Sequence, residues 1–336
     1  MPFSLRRPQA LAVVGLSAVL ALSACGSDSG GASAEGGLTP VNMAFEWTCE
    51  GTWAPIYSGL EQGIFEKNGI DLSYDRGQGG SDTVPLVATG EFDLAELSAP
   101  PVIIGAGEEL PLTVIGAAST VGPVTILADD SITEPKDLEG HSLAVQTDQF
   151  EGGVWDAFVK ATGIDVSKVD VIPSDDATTT EFLDGKIDAM VIFYNTASTK
   201  EILDTLPDLT VMPMQEYVPT YGHTIVANNQ WLSDNDTAAK GFMTAFAEST
   251  KWVVDNRDAA LATLQENCAE VDADALEFSL DAYIENWKAS TAGYGSFTED
   301  GLTQTQKVLV DAGLATQVPV SDFSTQDYQP DSPVLP

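Results

Sequence analysis

Three neighbouring stretches, Val41-Asn-Met-Ala-Phe45, Trp53-Ala-Pro-Ile-Tyr-Ser-Gly-Leu-Glu-Gln-Gly-Ile-Phe-Glu-Lys-Asn68 and Ile70-Asp-Leu-Ser-Tyr74, decide the fold class of this chain. The first reads as a short buried strand. In the second, Ile56, Leu60 and Ile64 recur at helical spacing, and Asn68-Gly69 supplies a stop. The third alternates Ile70, Leu72 and Tyr74 as a strand does. Strand, helix and strand within about 35 residues make one βαβ unit, which implies a parallel sheet with helices on its faces.

The same plan returns further on. Gly140-His-Ser-Leu-Ala-Val145 reads as a strand, Gly152 to Ala161 as a helix and Val169-Asp-Val-Ile172 as a second strand. A local phrase is repeated as well. Leu86-Val-Ala-Thr-Gly-Glu-Phe-Asp-Leu-Ala-Glu-Leu97 and Phe182-Leu-Asp-Gly-Lys-Ile-Asp-Ala-Met-Val-Ile-Phe193 each leave a helix through a Gly stop and pass through an apolar residue and Asp into a buried strand. Each phrase follows its own βαβ unit at about the same distance, so two lobes of like construction are expected. The chain should cross between them around residues 122–130 and return around 221–227, where Thr224-Ile-Val-Ala227 forms a strand; two crossings make a hinge. The expected division is residues 40–123 with 227–336 in the first lobe and 124–226 in the second. Asp236 can cap a helix with Ala238, Phe242, Ala245, Ser249 and Val253 on one face, Ala273 to Ala289 gives another, and both should pack on the first lobe.

The N-terminus carries Arg6-Arg7, an apolar run from Ala10 to Leu22, and Leu22-Ser-Ala-Cys25 followed by a Gly/Ser-rich stretch. That order reads as an export signal over residues 1–24, a lipidated Cys25 and a flexible tether over 25–39. It places the remainder outside the cytoplasmic membrane, attached to it by lipid alone. An ordinary cleaved signal with an incidental Cys25 is the plainer alternative.

The chain has 336 residues and a formal charge of −37, from 51 acidic against 14 basic residues. Such an excess repels nucleic acid and anionic lipid headgroups, and excludes nucleic acid as a partner. With 43% hydrophobic residues it still has a core to pack. Cys49 and Cys268 remain in an oxidising compartment where a disulfide can form, although their sequence separation does not decide whether they meet. No CxxC or His/Cys cluster suggests a metal, and no cofactor is expected. The absence of heptads and repeats points to a monomer.

Residues 54–72, Ala-Pro-Ile-Tyr-Ser-Gly-Leu-Glu-Gln-Gly-Ile-Phe-Glu-Lys-Asn-Gly-Ile-Asp-Leu, resemble the opening signature of the ABC-transporter solute-binding proteins that include the nitrate, sulfonate and taurine binders and the thiamine-pyrimidine-precursor binders. Ser131-Ile-Thr-Glu-Pro-Lys-Asp-Leu-Glu-Gly140, Gly185-Lys-Ile-Asp-Ala189 and Tyr217-Val-Pro-Thr-Tyr-Gly222 extend the resemblance over roughly residues 40–290. It implies an α/β, bilobal periplasmic-binding-protein type II fold. It also implies a small ligand held in the interlobe cleft and delivered to an ABC permease and its ATPase.

Ligands of such folds lie beyond the carboxyl ends of the strands, near helix starts. After the first strand come Glu46, Trp47 and Trp53; an indole can stack on a planar heterocycle and a carboxylate can accept its N–H groups, although Trp47 could equally be core. Gly80, Ser81, Asp82 and Thr83 stand at a helix start that suits an anion in sulfonate- and nitrate-type relatives; Asp82 would oppose one unless it caps the helix instead. Ser98, the group Asp148, Phe150 and Glu151, the pair Tyr194 and Asn195, and Tyr221 complete the candidates. None of these positions is Arg or Lys, which favours a neutral or cationic, pyrimidine-like vitamin precursor over sulfonate, taurine or nitrate. A ligand sensor without a transport role stays open on the same scaffold. So does a pyrimidine-synthase-like enzyme, which would need His and Cys in the cleft; the two histidines, His141 at a strand entry and His223 near the hinge, form no evident catalytic constellation in sequence.

Overall fold

The computed structural model describes residues 37–336 except 47, 48, 78, 148, 176 and 291. The export segment, Cys25, Trp47 and Asp148 therefore lie outside the described residues. Ten strands form two five-stranded sheets: β1 (Thr39–Phe45), β2 (Ile70–Arg76), β3 (Leu94–Ser98), β4 (Leu112–Ala117), β5 (Val124–Ala128), β6 (Ser142–Val145), β7 (Asp170–Pro173), β8 (Ala189–Phe193), β9 (Thr210–Pro213) and β10 (His223–Asn228). The helices, in chain order, are α1 (Ala54–Glu61), α2 (Ile64–Lys67), α3 (Gly80–Thr89), α4 (Ala99–Gly107), α5 (Phe150–Thr162), α6 (Thr178–Leu183), α7 (Ala197–Thr205), α8 (Asn229–Asp234), α9 (Asp236–Asp255), α10 (Arg257–Asn267), α11 (Ala273–Lys288) and α12 (Glu299–Asp311).

The sheet orders are β2-β1-β3-β10-β4 and β7-β6-β8-β5-β9. One order maps onto the other strand for strand, so the two lobes share a plan. The sheets are mixed rather than parallel throughout. β10 runs antiparallel to β3 and β4, and β5 antiparallel to β8 and β9. Each of these two strands enters its sheet directly from the other lobe without a crossover helix, and so runs against its neighbours. β10 starts at His223, which places His223 and Thr224 in the first sheet.

The repeated phrase has a physical cause. Gly90 and Gly185 both take left-handed backbone, with φ of 79° and 68°, to end α3 and the helix α6 with its closing turn. Three residues on, Asp93 Oδ2 accepts the N–H of Asn42 on β1 at 2.9 Å, and Asp188 Oδ2 accepts that of Ser142 on β6 at 2.8 Å. In each lobe the phrase fastens the third βα strand beside the first.

The helix expected over residues 53–68 is divided. Gly63 adopts φ +65°, separating α1 from α2 so that both can lie on α9. Gly59 permits the close approach, since a Cβ there would stand 2.2 Å from Ser249 Oγ and 2.5 Å from the Phe65 ring. The α9 face of Ala238, Phe242, Ala245, Ser249 and Val253 is buried as expected, although Asn235, not Asp236, holds the cap position. The C-terminal helices do not all keep to the first lobe: α11 also meets α7, and α12 packs on α4 of one lobe and α5 of the other. Beyond α12 the chain lies along β4, where Phe323 O and the Thr325 N–H pair with Val114 and cover that edge of the sheet.

Candidate ligand-binding cleft

A cavity of about 520 Å³ opens between the lobes where β1 and β3 of the first sheet and β6 and β8 of the second end and where β10 begins. The loop after β1 supplies two carboxylates to it, Glu46 and Glu50. Three constraints hold that loop. Cys49 is disulfide-bonded to Cys268 at the end of α10, with Cα atoms 5.8 Å apart. Gly51 donates its N–H to Ser279 Oγ on α11 at 2.9 Å, and a Cβ at Gly51 would stand 2.6 Å from the Leu280 backbone. A side chain at position 51 would push the loop off α11.

Glu46 is fixed by Ser98, the last residue of β3, whose N–H and hydroxyl donate to its two oxygens at 2.7 Å each. Gly80 makes room for it, since a Cβ there would come 2.4 Å from Glu46 Oε1. Across from these stands His223 at the start of β10, buried, with Nε2 3.2 Å from Glu50 Oε1 and 3.4 Å from Glu46 Oε2. Tyr283 of α11 donates its hydroxyl to Glu50 Oε2 at 3.0 Å and lies 3.3 Å from His223 Nδ1. Asn195, from the second lobe, donates through Nδ2 to the same Glu50 oxygen at 2.8 Å and to the Tyr283 oxygen.

This network fixes the charge of the imidazole. The Tyr283 proton goes to Glu50, so its oxygen is left to accept, and His223 can meet it only with a proton on Nδ1. Nε2 faces carboxylates and needs a proton as well, so both ring nitrogens carry one. Burial pushes the imidazole down, but the Glu50 charge and the hydrogen bonds to Glu46 and Glu50 carry it well above its ordinary range. Burial likewise pushes Glu46 up, yet the hydrogen bond and charge of His223 and the two Ser98 bonds bring it below the ordinary value. Glu96 lies wholly buried on β3, beside the Thr52 hydroxyl. Burial pushes it up to about 8 against the pull of His223, which keeps it a neutral acid at pH 7.

One imidazolium against two carboxylates leaves the centre with a net negative charge. Each carboxylate has about four acceptor sites. Three are used on Glu46 and three on Glu50 by the contacts above. Asn195 Oδ1 is buried with no partner. The cleft therefore offers unfilled acceptors, and its lining contains neither Lys nor Arg among the described residues.

Of the residues singled out in the sequence, Glu46, Gly80, Ser81, Ser98, Phe150, Glu151, Asn195 and Tyr221 line this cavity. Tyr221 is held at its edge, its hydroxyl accepting the Thr298 N–H at 2.8 Å. Four do not line it. Trp53 is 1% exposed and stacked on Phe45 at 4.1 Å, with Arg76 over its ring; its size and the short turn before α1 carry it into the core. Asp82 is exposed in the first turn of α3, whose cap position is Gly79, so it neither faces the cleft nor caps the helix. Thr83 is buried and donates to Gly79 O at 2.8 Å. Tyr194 points away, against Phe278, into a second cavity of about 490 Å³. Trp47 and Asp148 fall outside the described residues.

Sequence reasoning missed Glu50, His223 and Tyr283. Glu50 stands in the loop already singled out for Glu46. His223 was one of two histidines, and a strand start at the hinge was the signal that could have moved it from a structural role to the cleft. Tyr283 had no local signal, because it reaches the site from a helix more than 200 residues after β1. His141 is a surface residue, its Nδ1 3.4 Å from Asp188.

Two α/β lobes joined by a double crossing around a polar cleft define a type II periplasmic-binding-protein fold. Residues 51–260 match the NMT1/THI5-like family, and the chain belongs to it. It is 23% identical over 288 residues to the formylaminopyrimidine-binding protein of Halalkalibacterium halodurans, covering 83% of this chain and 87% of that one. Among solved structures it is similar to the periplasmic aliphatic sulphonate binding protein SsuA of Escherichia coli. The TM-score is 0.68 at 15% identity, over 88% of this chain and 95% of that one.

Proposed function

We propose that this protein is the extracytoplasmic solute-binding component of an ABC importer. It captures a small pyrimidine-like heterocycle between its lobes and presents it to a permease, while a lipid on Cys25 holds it at the membrane. The observation that carries the ligand class is the acceptor-rich centre: Glu46 and Glu50 are each left with acceptor capacity, Asn195 Oδ1 is unpartnered, and His223, the one cation there among the described residues, is already matched by two carboxylates. An aminopyrimidine edge supplies N–H donors to such a centre. A sulfonate would bring a negative charge against two others, and likeness of fold to a sulphonate binder does not alter that repulsion. The pyrimidine named in the Halalkalibacterium relative agrees with this chemistry.

Binding is favoured over catalysis. Both ring nitrogens of His223 are engaged within the site, Cys49 is held in a disulfide, and among the described residues no lysine lines the cavity to carry an aldehyde cofactor. A thermal-shift panel of formylaminopyrimidine, thiamine, taurine, alkanesulfonates and nitrate tests the reading. A ligand at 100 times its Kd stabilises the fold by about 2.7 kcal/mol. Formylaminopyrimidine should raise the midpoint and the anions should not; stabilisation by an anion alone would reverse the assignment. Mass spectrometry of Cys25 from isolated membranes tests the anchor, with a diacylglyceryl adduct expected and an unmodified thiol contradicting it.

A further inference from the structure

Besides the polar centre, the cavity lining includes apolar side chains from both lobes and from the segment around α12. Ile104 on α4, Phe150 at the start of α5, Leu309 near the end of α12 and Leu314 just beyond it face the same space. Ile104 and Leu314 are only partly buried, so apolar surface is left for something to cover. The wall is built deliberately from both lobes. α12 spans α4 and α5 and lies close on Gly153, where a Cβ would stand 3.1 Å from the Ala312 Cβ. Its start is fixed at the hinge by Tyr221, whose ring leaves room for nothing larger than Gly301.

The volume points the same way. At about 520 Å³ the cavity lies within the range of clefts that take drug-sized ligands. A pyrimidine with only a short formylaminomethyl arm has about a dozen non-hydrogen atoms and would leave water standing against the apolar wall. Water held only against those four side chains lacks partners and is readily displaced by an apolar group, whereas Gln146, Gln149 and Glu151 on the same lining can hold theirs.

We infer that the ligand is a heterocycle bearing an apolar substituent of several carbons, an acyl, thioether or aryl arm. Its N–H edge meets Glu46, Glu50 and Asn195, and its arm lies against Ile104, Phe150, Leu309 and Leu314. The inference rests on the heterocycle reading above and adds the chemistry of the cavity's apolar side chains to it.

Calorimetric titration of the intact protein with an aminomethyl-pyrimidine acylated with formyl, butanoyl or hexanoyl groups tests it. Affinity should rise roughly threefold to fourfold for each methylene buried. The ratio of hexanoyl to formyl affinity should collapse toward one in Ile104→Ala and in Leu314→Ala, with thermal unfolding confirming that each variant is folded. Equal or weaker binding of the hexanoyl compound beside firm binding of the formyl compound overturns the apolar arm and leaves the heterocycle reading intact. A gain that persists undiminished in both variants overturns the placement of the arm. Failure of every member to bind overturns the heterocycle reading and this inference with it.

Discussion

His223 Nε2 stands 3.2 Å from Glu50 Oε1, and this pairing organises the cleft. It joins the loop after β1 to the first residue of β10, the strand by which the chain returns from the second lobe. Ligand capture, hinge geometry and the charge of the site therefore meet at one contact.

Replacing Glu50 with Gln keeps the shape and removes the charge. The variant loses a charge-assisted bond to His223, and the amide N–H it gains faces donors. Since hydrogen bonds to charged groups contribute about 1.5–3 kcal/mol, affinity for formylaminopyrimidine should fall roughly 10- to 100-fold by calorimetry. The His223 imidazole should titrate lower in an NMR pH series. An unchanged affinity would remove Glu50 from the site.

Asn195 is the second lobe's direct hand on this centre, through Glu50 and Tyr283. Asn195→Ala should weaken binding by about 1–3 kcal/mol, the usual range for losing a buried polar partner. Small-angle scattering of the ligand-free variant should show a larger radius of gyration than wild type.

Stability should decline as pH rises through neutrality. Glu96 is raised from 4.5 to about 8, so its favourable contribution is complete below 4.5 and is lost as pH climbs to about 8. His223 is raised well above 6.5, so its contribution is complete below 6.5 and is lost from there upward through its folded value. Glu46 is lowered, so its contribution is present above 4.5 and disappears only on acidification. The midpoint of thermal unfolding should therefore fall as pH rises from 4.5 to about 8, and Glu96→Gln should flatten the part below pH 6.5 while leaving the loss that His223 brings above it. A wild-type midpoint independent of pH there would contradict the burial of Glu96.

The disulfide closes a chain separation of 219 residues and pins the loop that carries both carboxylates. Cys49→Ser with Cys268→Ser should lower unfolding stability in urea by about 2–4 kcal/mol and weaken ligand binding as well. A stability loss with full affinity would show that Gly51 and Ser279 hold the loop unaided.

Trp53→Ala removes a fully buried ring stacked on Phe45 and should cost about 3–5 kcal/mol in urea unfolding. Because Trp53 does not line the cavity, any residual folded protein should retain its affinity. Selective loss of binding with stability intact would return Trp53 to the site.

The fold was legible because its signals are local. Gly90 with Asp93, and Gly185 with Asp188, mark the two lobes in the text of the chain, since each Gly ends a helix and each Asp fastens the next strand to its neighbour. The antiparallel course of β5 and β10 was not legible, because direction depends on which lobe a strand has just left. Glu46, Ser98 and Asn195, at or just beyond strand ends, line the cavity as their position suggests. Trp53 and Tyr194 followed the same rule and failed it, for a side chain's direction after a strand depends on what the next helix packs against. Tyr283 reaches the cleft from α11 through tertiary packing, and no spacing announces it.

A crystal structure of the protein with formylaminopyrimidine decides where the ligand sits. The ring is expected between the lobes, with its N–H groups on Glu46 or Glu50 and on Asn195 Oδ1. A ligand seated in the second cavity beside Tyr194 and Phe278, or turned so that no N–H reaches either carboxylate, would contradict that placement.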